Sequence, residues 1–426
     1  MSQRGLEAET LLGSIEGSRD PLVSVAIDNV AGAIVEDAAK VKTGQKVLIW
    51  FDEPGAELAK NIALKCHEKG SEVRYFLRDY EADAAALPGS SDDEIRHMFD
   101  SEEELMNWAE NIIIVRNPEN PEAMGKAPKD KVAIYLKRYE DVHSRRSDGT
   151  VDWTLFLWPT EYEAQKEGLP HKEYFQQVIE ACNLQWKEVA AAQAILKAKL
   201  DPAKILEFYA NEDDSDPTRQ THVSMSIEGM TFCNSTVDRN YPGSEVFSAP
   251  RLHSVNGQIF AEGEYLEDGH LMRNILFKIE NGRIVEAHAE FGDEGLQEIL
   301  NRDDKEPGFG SRYFGECALG TNSKLIRRFF NPLLNEKVGG SFHMAVGHCY
   351  TQTKYGDDEV TVDNDNTNKK TSLHWDVTIL MHRKSNGSGG GRVVVDGELI
   401  QVDGRFINPA LEILNPKKRR NLQEIC

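Results

Sequence analysis

The chain has 426 residues, of which 40% are hydrophobic and 28% are charged, and its formal net charge at pH 7 is −22. This length exceeds the usual size of a single hydrophobic core, so we expect two domains. The negative charge argues against nucleic acid or an anionic membrane surface as a partner, because both would repel the chain.

The N-terminus and the cysteines predict the compartment. Residues 1–9 lack a basic start followed by an apolar run, so we expect no secretory signal. No apolar run approaches about 18 residues, so we expect no transmembrane helix and no membrane partner. The six cysteines are scattered without CxxC spacing, which is typical of reduced thiols. Together these features predict a cytoplasmic protein.

Helix and strand patterns alternate through the first half of the chain. Residues 21–41 and 54–69 have apolar positions at helical spacing. Short apolar runs predict buried strands at 46–51, 73–77, 111–115 and 153–158. Strands separated by helices imply parallel pairing, so we expect an α/β N-terminal domain.

The pattern changes around an acidic connector at residues 211–217. Residues 171–209 are predicted to be helical throughout. Beyond the connector, short alternating segments parted by Gly, Asp and Asn predict hairpins. We therefore place the domain boundary near residue 205, with an α/β domain over 1–204 and an α+β domain over 205–426.

Several segments of the second half place acidic, imidazole or phenolic side chains close to glycines. The acids are Glu245 in Pro-Gly-Ser-Glu-Val-Phe, Glu316 in Gly-Glu-Cys and Glu336 in Glu-Lys-Val-Gly-Gly. Apolar residues alternate around His343, which predicts a strand with His343 on its more polar face. Tyr350 follows seven residues later, and a bend at Gly347 is expected to return it to the face of His343. Each glutamate alone would be interpreted as a surface residue.

An acidic, Asn-rich stretch, residues 357–370, follows these segments. Its Asp363-x-Asp365 core is reminiscent of a calcium loop, but it lacks the required Gly and the spaced Glu. We therefore predict a solvated loop over this insert.

The segment Ser372-Leu-His-Trp-Asp-Val-Thr-Ile379 alternates polar and apolar residues. Successive side chains of a strand point to opposite faces, so His374 and Asp376 would stand side by side on one face. Imidazole and carboxylate together suit a divalent metal such as zinc, cobalt or manganese. An isolated His-x-Asp is more often the wet face of a half-buried strand, and here the upstream acids favour metal binding.

The motifs of the second half, taken in chain order, resemble a known enzyme family. The series Pro-Gly-Ser-Glu245-Val-Phe, Gly-Glu316, Glu336-Lys-Val-Gly-Gly-Ser-Phe-His343-Met-Ala-Val-Gly, Tyr350 and Leu-His374-Trp-Asp376 resembles the thermophilic-type metallo-aminopeptidases, the aminopeptidase T (M29) family. Residues 41–49 also suit the N-terminal region of that family. Five blocks in the right order are more specific than any single block.

The resemblance implies a metal-binding catalytic C-terminal domain, two divalent metal ions, a homodimer, and removal of N-terminal residues from peptides with a free N-terminus. The metal ligands that it implies are Glu245, Glu316, Glu336, His343, His374 and Asp376. It makes Tyr350 a catalytic side chain, and the chemistry of its hydroxyl suits donation of a hydrogen bond to the developing oxyanion. We expect Glu316 also to carry the proton to the leaving amine. The chain departs from the family at 235–241 and in the insert 357–370, which leaves the substrate preference open.

Charge counting supports two ions independently of the family. Four carboxylates gathered in a partly buried pocket would repel one another and raise their own pKa values. Two divalent cations would neutralise all four, whereas one would leave two excess negative charges in a medium of low dielectric constant.

Two alternatives remain open. Ring-cleaving dioxygenases that act on dihydroxypyridines resemble the same fold and use one Fe(II) held by two histidines and a carboxylate. His343, His374 and Asp376 would satisfy that set. A non-catalytic protein with a structural metal is the other alternative, and Tyr350 and the absence of a Cys-rich site argue against it.

Overall fold

The computed structural model describes residues 21–147, 149–304, 308–356 and 358–417. The chain divides into two compact units. Of the described residues, unit 1 contains those up to Asn183 together with Val237–Pro242, and unit 2 contains Leu184–Thr236 and those from Gly243 onward. In the described ranges, no helix has both the length and the apolar character needed to span a membrane.

Unit 1 is built on a parallel sheet. Numbered in chain order, its strands are β1 (Lys46–Asp52), β2 (Glu72–Arg78), β3 (Asn111–Arg116), β4 (Asp152–Leu157) and β8 (Asn240–Tyr241). They lie in the order β2-β1-β3-β4-β8, and every pairing is parallel. The parallel pairing predicted from alternating helices and strands is therefore confirmed.

Helices connect and cover these strands. They are Pro21–Ala33 with a π-helical continuation over Ile34–Ala38, Ala56–Glu68, Tyr80–Ala86, Asp92–His97, Asp100–Trp108, Lys129–Val142, Ser144–Ser147, Glu161–Lys166 and His171–Cys182. Ile112, Ile113 and Ile114 are all fully buried, because helices cover both faces of a parallel sheet. The continuous apolar run in β3 has this cause.

Unit 2 contains two antiparallel sheets and a hairpin. The larger sheet consists of β12 (Arg283–Phe291), β11 (His270–Glu280), β10 (Asn256–Glu267), β6 (Thr221–Ser226), β5 (Ile205–Ala210), β18 (Gly391–Val395), β19 (Glu398–Val402) and β20 (Arg405–Phe406), in that order. The smaller sheet consists of β17 (His374–Leu380), β14 (Ser341–Gly347), β13 (Phe314–Gly320), β9 (Glu245–Ser248) and β7 (Cys233–Ser235). The hairpin pairs β15 (Gln352–Tyr355) with β16 (Asp358–Val362). The helices are Trp186–Leu200, Asp293–Asn301 and Pro332–Asn335, with a 3-10 helix at Pro409–Leu414.

The two sheets of unit 2 pack face to face through aromatic rings. Phe208 of β5 stacks on Phe342 of β14 with ring centroids 4.2 Å apart. Trp375 of β17 meets the ring of Phe277 of β11 edge to face at 6.3 Å. One face of the smaller sheet is therefore closed by apolar packing, and His343 and His374 point from the other.

The structure differs from two expectations about the middle of the chain. The prediction of continuous helix over 171–209 is wrong in two places. The helix is interrupted between Cys182 and Trp186, and it ends at Leu200 before strand β5 (Ile205–Ala210), which has alternating burial and pairs with β6 and β18. The expected boundary was at 204/205, whereas the two units divide after Asn183. The helix Trp186–Leu200 falls in unit 2 because Gln193 at its centre bonds to Ser244 and Thr321.

The insert 357–370 is largely ordered. Asp357 lies outside the described residues. Asp358–Val362 forms β16, and Val360, Val362, Asn364 and Asn366 are buried. The prediction of a solvated loop is therefore wrong for residues 358–366, because alternating valines supply an apolar strand face and the asparagine amides bond to main-chain groups.

Candidate metal centre

The polar face of the smaller sheet brings the predicted residues into adjacent positions. Across three neighbouring strands, Glu316 of β13 pairs with Ala345 of β14, which pairs with Asp376 of β17. His343 lies two residues from Ala345 on the same face. A small side chain at Ala345 leaves space between the two carboxylates, so the strand register itself creates a pocket with acidic walls.

Two groups of ligand atoms meet in this pocket. Glu245, Glu316 and His343 form one, and Glu316, His374 and Asp376 form the other, with the ligand atoms of each group within 4.8 Å of one another. His343 Nε2 lies 3.1 Å from Glu316 Oε1 and 3.5 Å from Glu245 Oε2. His374 Nε2 lies 3.7 Å from both Glu316 Oε2 and Asp376 Oδ1. The two oxygens of Glu316 thus face different groups.

Glu245 owes its position to the helix Trp186–Leu200. Gln193 of this helix is fully buried and donates to the carbonyl of Glu245 at 3.2 Å and to Ser244 Oγ at 2.6 Å. The side-chain carbonyl of Gln193 accepts from Thr236 Oγ1 at 2.6 Å. A satisfied buried amide fixes the start of β9, and sequence patterns gave no sign of this role.

Glu336 belongs to neither group, and its partner is a lysine that the sequence analysis did not single out. Lys337 is fully buried, and its Nζ lies 2.5 Å from Glu245 Oε1 and 2.6 Å from Glu336 Oε2. A lysine in a Gly-rich apolar segment was the available signal, because lysine is almost never fully buried without a partner.

Burial and the charges of the protein set the protonation of these carboxyls. Burial, reinforced by Glu245, raises the pKa of Glu316 to about 8. Burial and the charge of Glu316 raise the pKa of Asp376 to about 7, and burial raises that of Glu336 to about 7 against the pull of Lys337. Burial also opposes ionisation of Glu245, but the charges of Lys337 and His343 and the hydrogen bonds from Lys337 and Ser235 together outweigh burial and hold the pKa of Glu245 below its usual value. Three of the four carboxyls thus resist ionisation, and the ammonium of Lys337 does not compensate all of them.

Tyr350 lies beside the second group, just beyond the end of β14. The bend expected at Gly347 is present, with φ of 111°, and a Cβ there would lie 2.0 Å from the carbonyl oxygen of Leu373. The ring of Tyr350 is 4.2 Å from that of His374, between centroids, and the residue is 52% exposed. The Tyr350 side chain is thus accessible beside the second group.

His348, also unforeseen from the sequence, links this segment to β17. Its main-chain carbonyl accepts from His374 Nδ1 at 2.7 Å, and its own Nδ1 donates to the carbonyl of Leu373 at 2.9 Å. Burial, with the charge of His374, lowers the pKa of His348 to about 4, so its ring is neutral at physiological pH. The bond from Nδ1 leaves Nε2 of His374 to face Glu316 and Asp376, as in histidines that ligate metals.

The residues of the pocket fit divalent cations. Glu245 Oε2 and Asp376 Oδ1 are buried acceptors without a hydrogen-bond donor among the described residues. Buried oxygens of this kind are costly unless a donor or a cation meets them. Carboxylate oxygen and imidazole nitrogen are ligands that zinc, cobalt and manganese accept.

Comparison with known sequences gives the same chemistry. The family model described as thermophilic metalloprotease (M29) matches residues 24–405. Aminopeptidase AmpS of Bacillus subtilis (strain 168) is 24% identical over 370 residues, which cover 77% of this chain and 85% of that protein. Aminopeptidase T of Thermus aquaticus is 26% identical over 256 residues, which cover 55% of this chain and 60% of that protein.

Comparison with solved structures gives the fold. Wild-type AmpT from Thermus thermophilus superposes with a TM-score of 0.68 at 19% identity, covering 90% of this chain and 99% of that one. The 2,5-dihydroxypyridine dioxygenase of Pseudomonas putida KT2440 superposes with a TM-score of 0.55 at 10% identity, covering 93% of this chain and all of that one. The mixed α/β fold is thus similar to that of AmpT.

Proposed function

The chain belongs to the thermophilic metalloprotease (M29) family, and from this premise we propose that it is a metal-dependent aminopeptidase that uses two divalent cations. Relatives across most of its length are named aminopeptidases. Its substrates are accordingly peptides, and we propose that a free N-terminus is required.

We assign one cation to Glu245, Glu316 and His343 and the other to Glu316, His374 and Asp376. The observation that carries this assignment is the sharing of Glu316, whose two oxygens face different histidines. All five residues belong to unit 2, which we propose as the catalytic domain.

Lys337 changes the charge count made from the sequence. Four carboxylates and one buried ammonium leave three negative charges, so one divalent cation leaves the pocket negative and two give a single excess positive charge. A small positive excess suits the negative charge that develops on the scissile carbonyl oxygen. Net charge alone is therefore balanced between one ion and two, and the developing oxyanion favours two.

The cations would supply an acidified water and polarise the scissile carbonyl. Tyr350 keeps its proton at neutral pH, since a tyrosine ordinarily ionises at about pH 10, and its hydroxyl donates to the developing oxyanion. The carbonyl of His348 holds His374 in one tautomer and orientation. His348 thus orients the metal-ligating His374, and Tyr350 stabilises the transition state.

Two carboxylates are candidates for proton transfer to the leaving amine, namely Glu316, which the sequence analysis proposed, and Glu336. Glu316 belongs to both ligand groups, and a carboxylate shared by two cations is poorly placed to take up a proton. Glu336 lies outside both groups beside Lys337, and we propose it as a sixth ligand. Glu336→Gln separates the roles, because loss of a ligand lowers the metal content, whereas loss of a proton carrier lowers turnover at full metal content.

We further propose a cytoplasmic homodimer loaded with zinc, cobalt or manganese. The family resemblance supports the dimer, and the cysteines of the described residues are buried and free, in keeping with a reducing compartment. Light scattering during size-exclusion chromatography measures the oligomeric state directly.

The geometry supports the hydrolase better than a ring-cleaving dioxygenase. His343 Nε2 and His374 Nε2 both lie near Asp376 Oδ1, at 3.9 and 3.7 Å. A dioxygenase of the type considered above would need both histidines on one iron, however, whereas each group of ligand atoms contains a single histidine and both contain Glu316. The structural likeness to a dioxygenase reflects a shared fold.

Metal analysis of the purified protein, combined with a peptide assay, tests the proposal. We expect about two ions per chain, one for each group of ligand atoms, and cleavage of an unblocked peptide, with the N-acetylated form resistant. His374→Ala and Asp376→Ala should each lower metal content and abolish hydrolysis. A single iron per chain, or equal cleavage of the blocked peptide, would overturn the proposal.

A further inference from the structure

The segment that carries Tyr350 is bound to the insert through a buried asparagine. Asn366 is fully buried, and its Nδ2 donates to the carbonyl of Gly347 at 2.7 Å and to that of Gly310 at 3.0 Å. Its Oδ1 accepts from the main-chain N–H of Gly310 at 2.7 Å. Its main-chain carbonyl accepts from the N–H of Cys349 at 2.7 Å. Asn366 thus holds the peptide groups on both sides of His348.

The same His348 is the residue that orients a proposed ligand. Its N–H donates to the carbonyl of Leu373 at 2.7 Å, and its carbonyl accepts from His374 Nδ1 at 2.7 Å. A peptide unit fixed on one side by Asn366 and on the other by β17 has little freedom to rotate. The peptide unit that carries this carbonyl bonds through the N–H of Cys349 to the main chain of Asn366, and the Asn366 side chain fixes that main chain against Gly310 and Gly347. The direction of the carbonyl that binds His374 therefore depends on Asn366.

Packing supports the same arrangement. Val360 and Val362 of β16 belong to one buried apolar cluster with Cys349. Asn364 donates to the carbonyls of Pro250 at 3.0 Å and Phe314 at 2.9 Å, and its Oδ1 accepts from the N–H of Asn366 at 3.1 Å. The insert is therefore fixed to the sheet beside the pocket and contacts the segment 347–349 with its side chains and its main chain.

We propose that the insert is a positioning element for the metal centre, acting through Asn366 on His374 and Tyr350. This inference rests on the proposed function. Because the amide of Asn366 has bonds to two carbonyl oxygens, Asn366→Asp would replace a donor with an oxygen facing those carbonyls. The carbonyl of His348 and the ring of Tyr350 would then lose their fixed position while every proposed ligand remains.

The test compares wild type, Asn366→Asp and the matched control Asn368→Ala. Asn368 belongs to the same insert and is exposed. For Asn366→Asp we expect metal affinity or turnover to fall by about 10- to 100-fold, as for other outer partners of ligating histidines. The loss should fall on kcat more than on KM, and the visible spectrum of the cobalt-loaded protein should change. The control should match wild type in all of these measurements.

The outcomes separate this inference from the proposed function. A variant with wild-type metal affinity, cobalt spectrum and kcat, and only a lower melting temperature, would overturn the inference and leave the aminopeptidase intact. If wild type hydrolyses no peptide, the function fails, while metal affinity and the cobalt spectrum still test Asn366. Should Asn366→Asp not fold, Asn366→Ser, which keeps one donor, replaces it with the same expectations.

Discussion

Replacing Lys337 by methionine removes the buried ammonium that lies within 2.6 Å of both Glu245 and Glu336. Burial would lower the pKa of Lys337, but the two carboxylates outweigh burial and raise it. The ammonium is therefore present at every pH below the ordinary pKa of lysine, about 10.4, and its contribution is lost only above that range. In the variant, Glu245 and Glu336 would face each other without it.

The expected cost follows from breaking a buried ion pair. Removing one partner of such a pair costs about 3–5 kcal/mol, because an uncompensated charge stays buried. For a unit of this size, each kcal/mol lowers the melting temperature by about 2–4 °C, so we expect a fall of about 6–20 °C. The exposed pair Lys278–Glu286 offers a control, since Lys278→Met should cost at most about 1 kcal/mol.

Calorimetry with and without metal is the assay. After treatment with a chelator, the Lys337→Met protein should melt well below wild type. Saturating zinc should largely restore it, because cations bind the native carboxylates and raise stability in proportion to the logarithm of their concentration. Zinc affinity should also rise, since one competing positive charge is gone. Equal melting temperatures of the chelated proteins, or weaker zinc binding by the variant, would refute the reasoning.

Three further predictions follow from named contacts. Tyr350→Phe should lower turnover by about 10²-fold or more at unchanged metal content and with little change in KM, and a near-normal turnover number on a chromogenic aminoacyl substrate would remove its catalytic role. Ala345→Leu fills the space between Glu316 and Asp376 and should cost at least one ion per chain by elemental analysis, while Met344→Leu on the opposite face should keep both. Burial, partly offset by Arg302, raises the pKa of Glu267 to about 7, so wild type loses stability as the pH rises from about 4.3 to 7. In urea unfolding at pH 8, Glu267→Gln should therefore be more stable than wild type by about 1–2 kcal/mol, a value that allows for the partial exposure of Glu267. At pH 4 the two proteins should be equally stable, and the same difference at both pH values would contradict this prediction.

Local periodicity was sufficient to predict the strand that contains His374 and Asp376. A period of two residues fixes which side chains share a face, and Trp375 and Val377 are buried on the opposite face as predicted. The same logic failed at Ile205–Ala210, because a short apolar run after a long helix fits either period. Pairing with β6 and β18 decides its structure, and that pairing is not encoded locally.

Partners far apart in sequence account for what the sequence could not predict. Lys337 meets Glu245 across 92 positions, and Asn366 meets Gly310 across 56. Both contacts depend on the register of strands that only the folded chain defines. The acidic composition of the insert predicted a solvent-exposed loop. Its buried asparagines could not be recognised, because exposed and buried asparagines look alike in a sequence.

The short excursion of the chain through β8 affects the order of folding during synthesis. Residues 237–242 belong to unit 1, and Asn240 and Tyr241 pair with Leu155 and Phe156 of β4. The edge of this sheet therefore remains open until about 60 residues beyond Asn183 have left the ribosome, a delay of about 3–12 s at ordinary elongation rates. An unpaired edge strand is a site for wrong pairing with other chains. A stalled nascent chain from which residue 240 has not emerged should accordingly be more sensitive to protease and aggregation than one from which residue 242 has emerged.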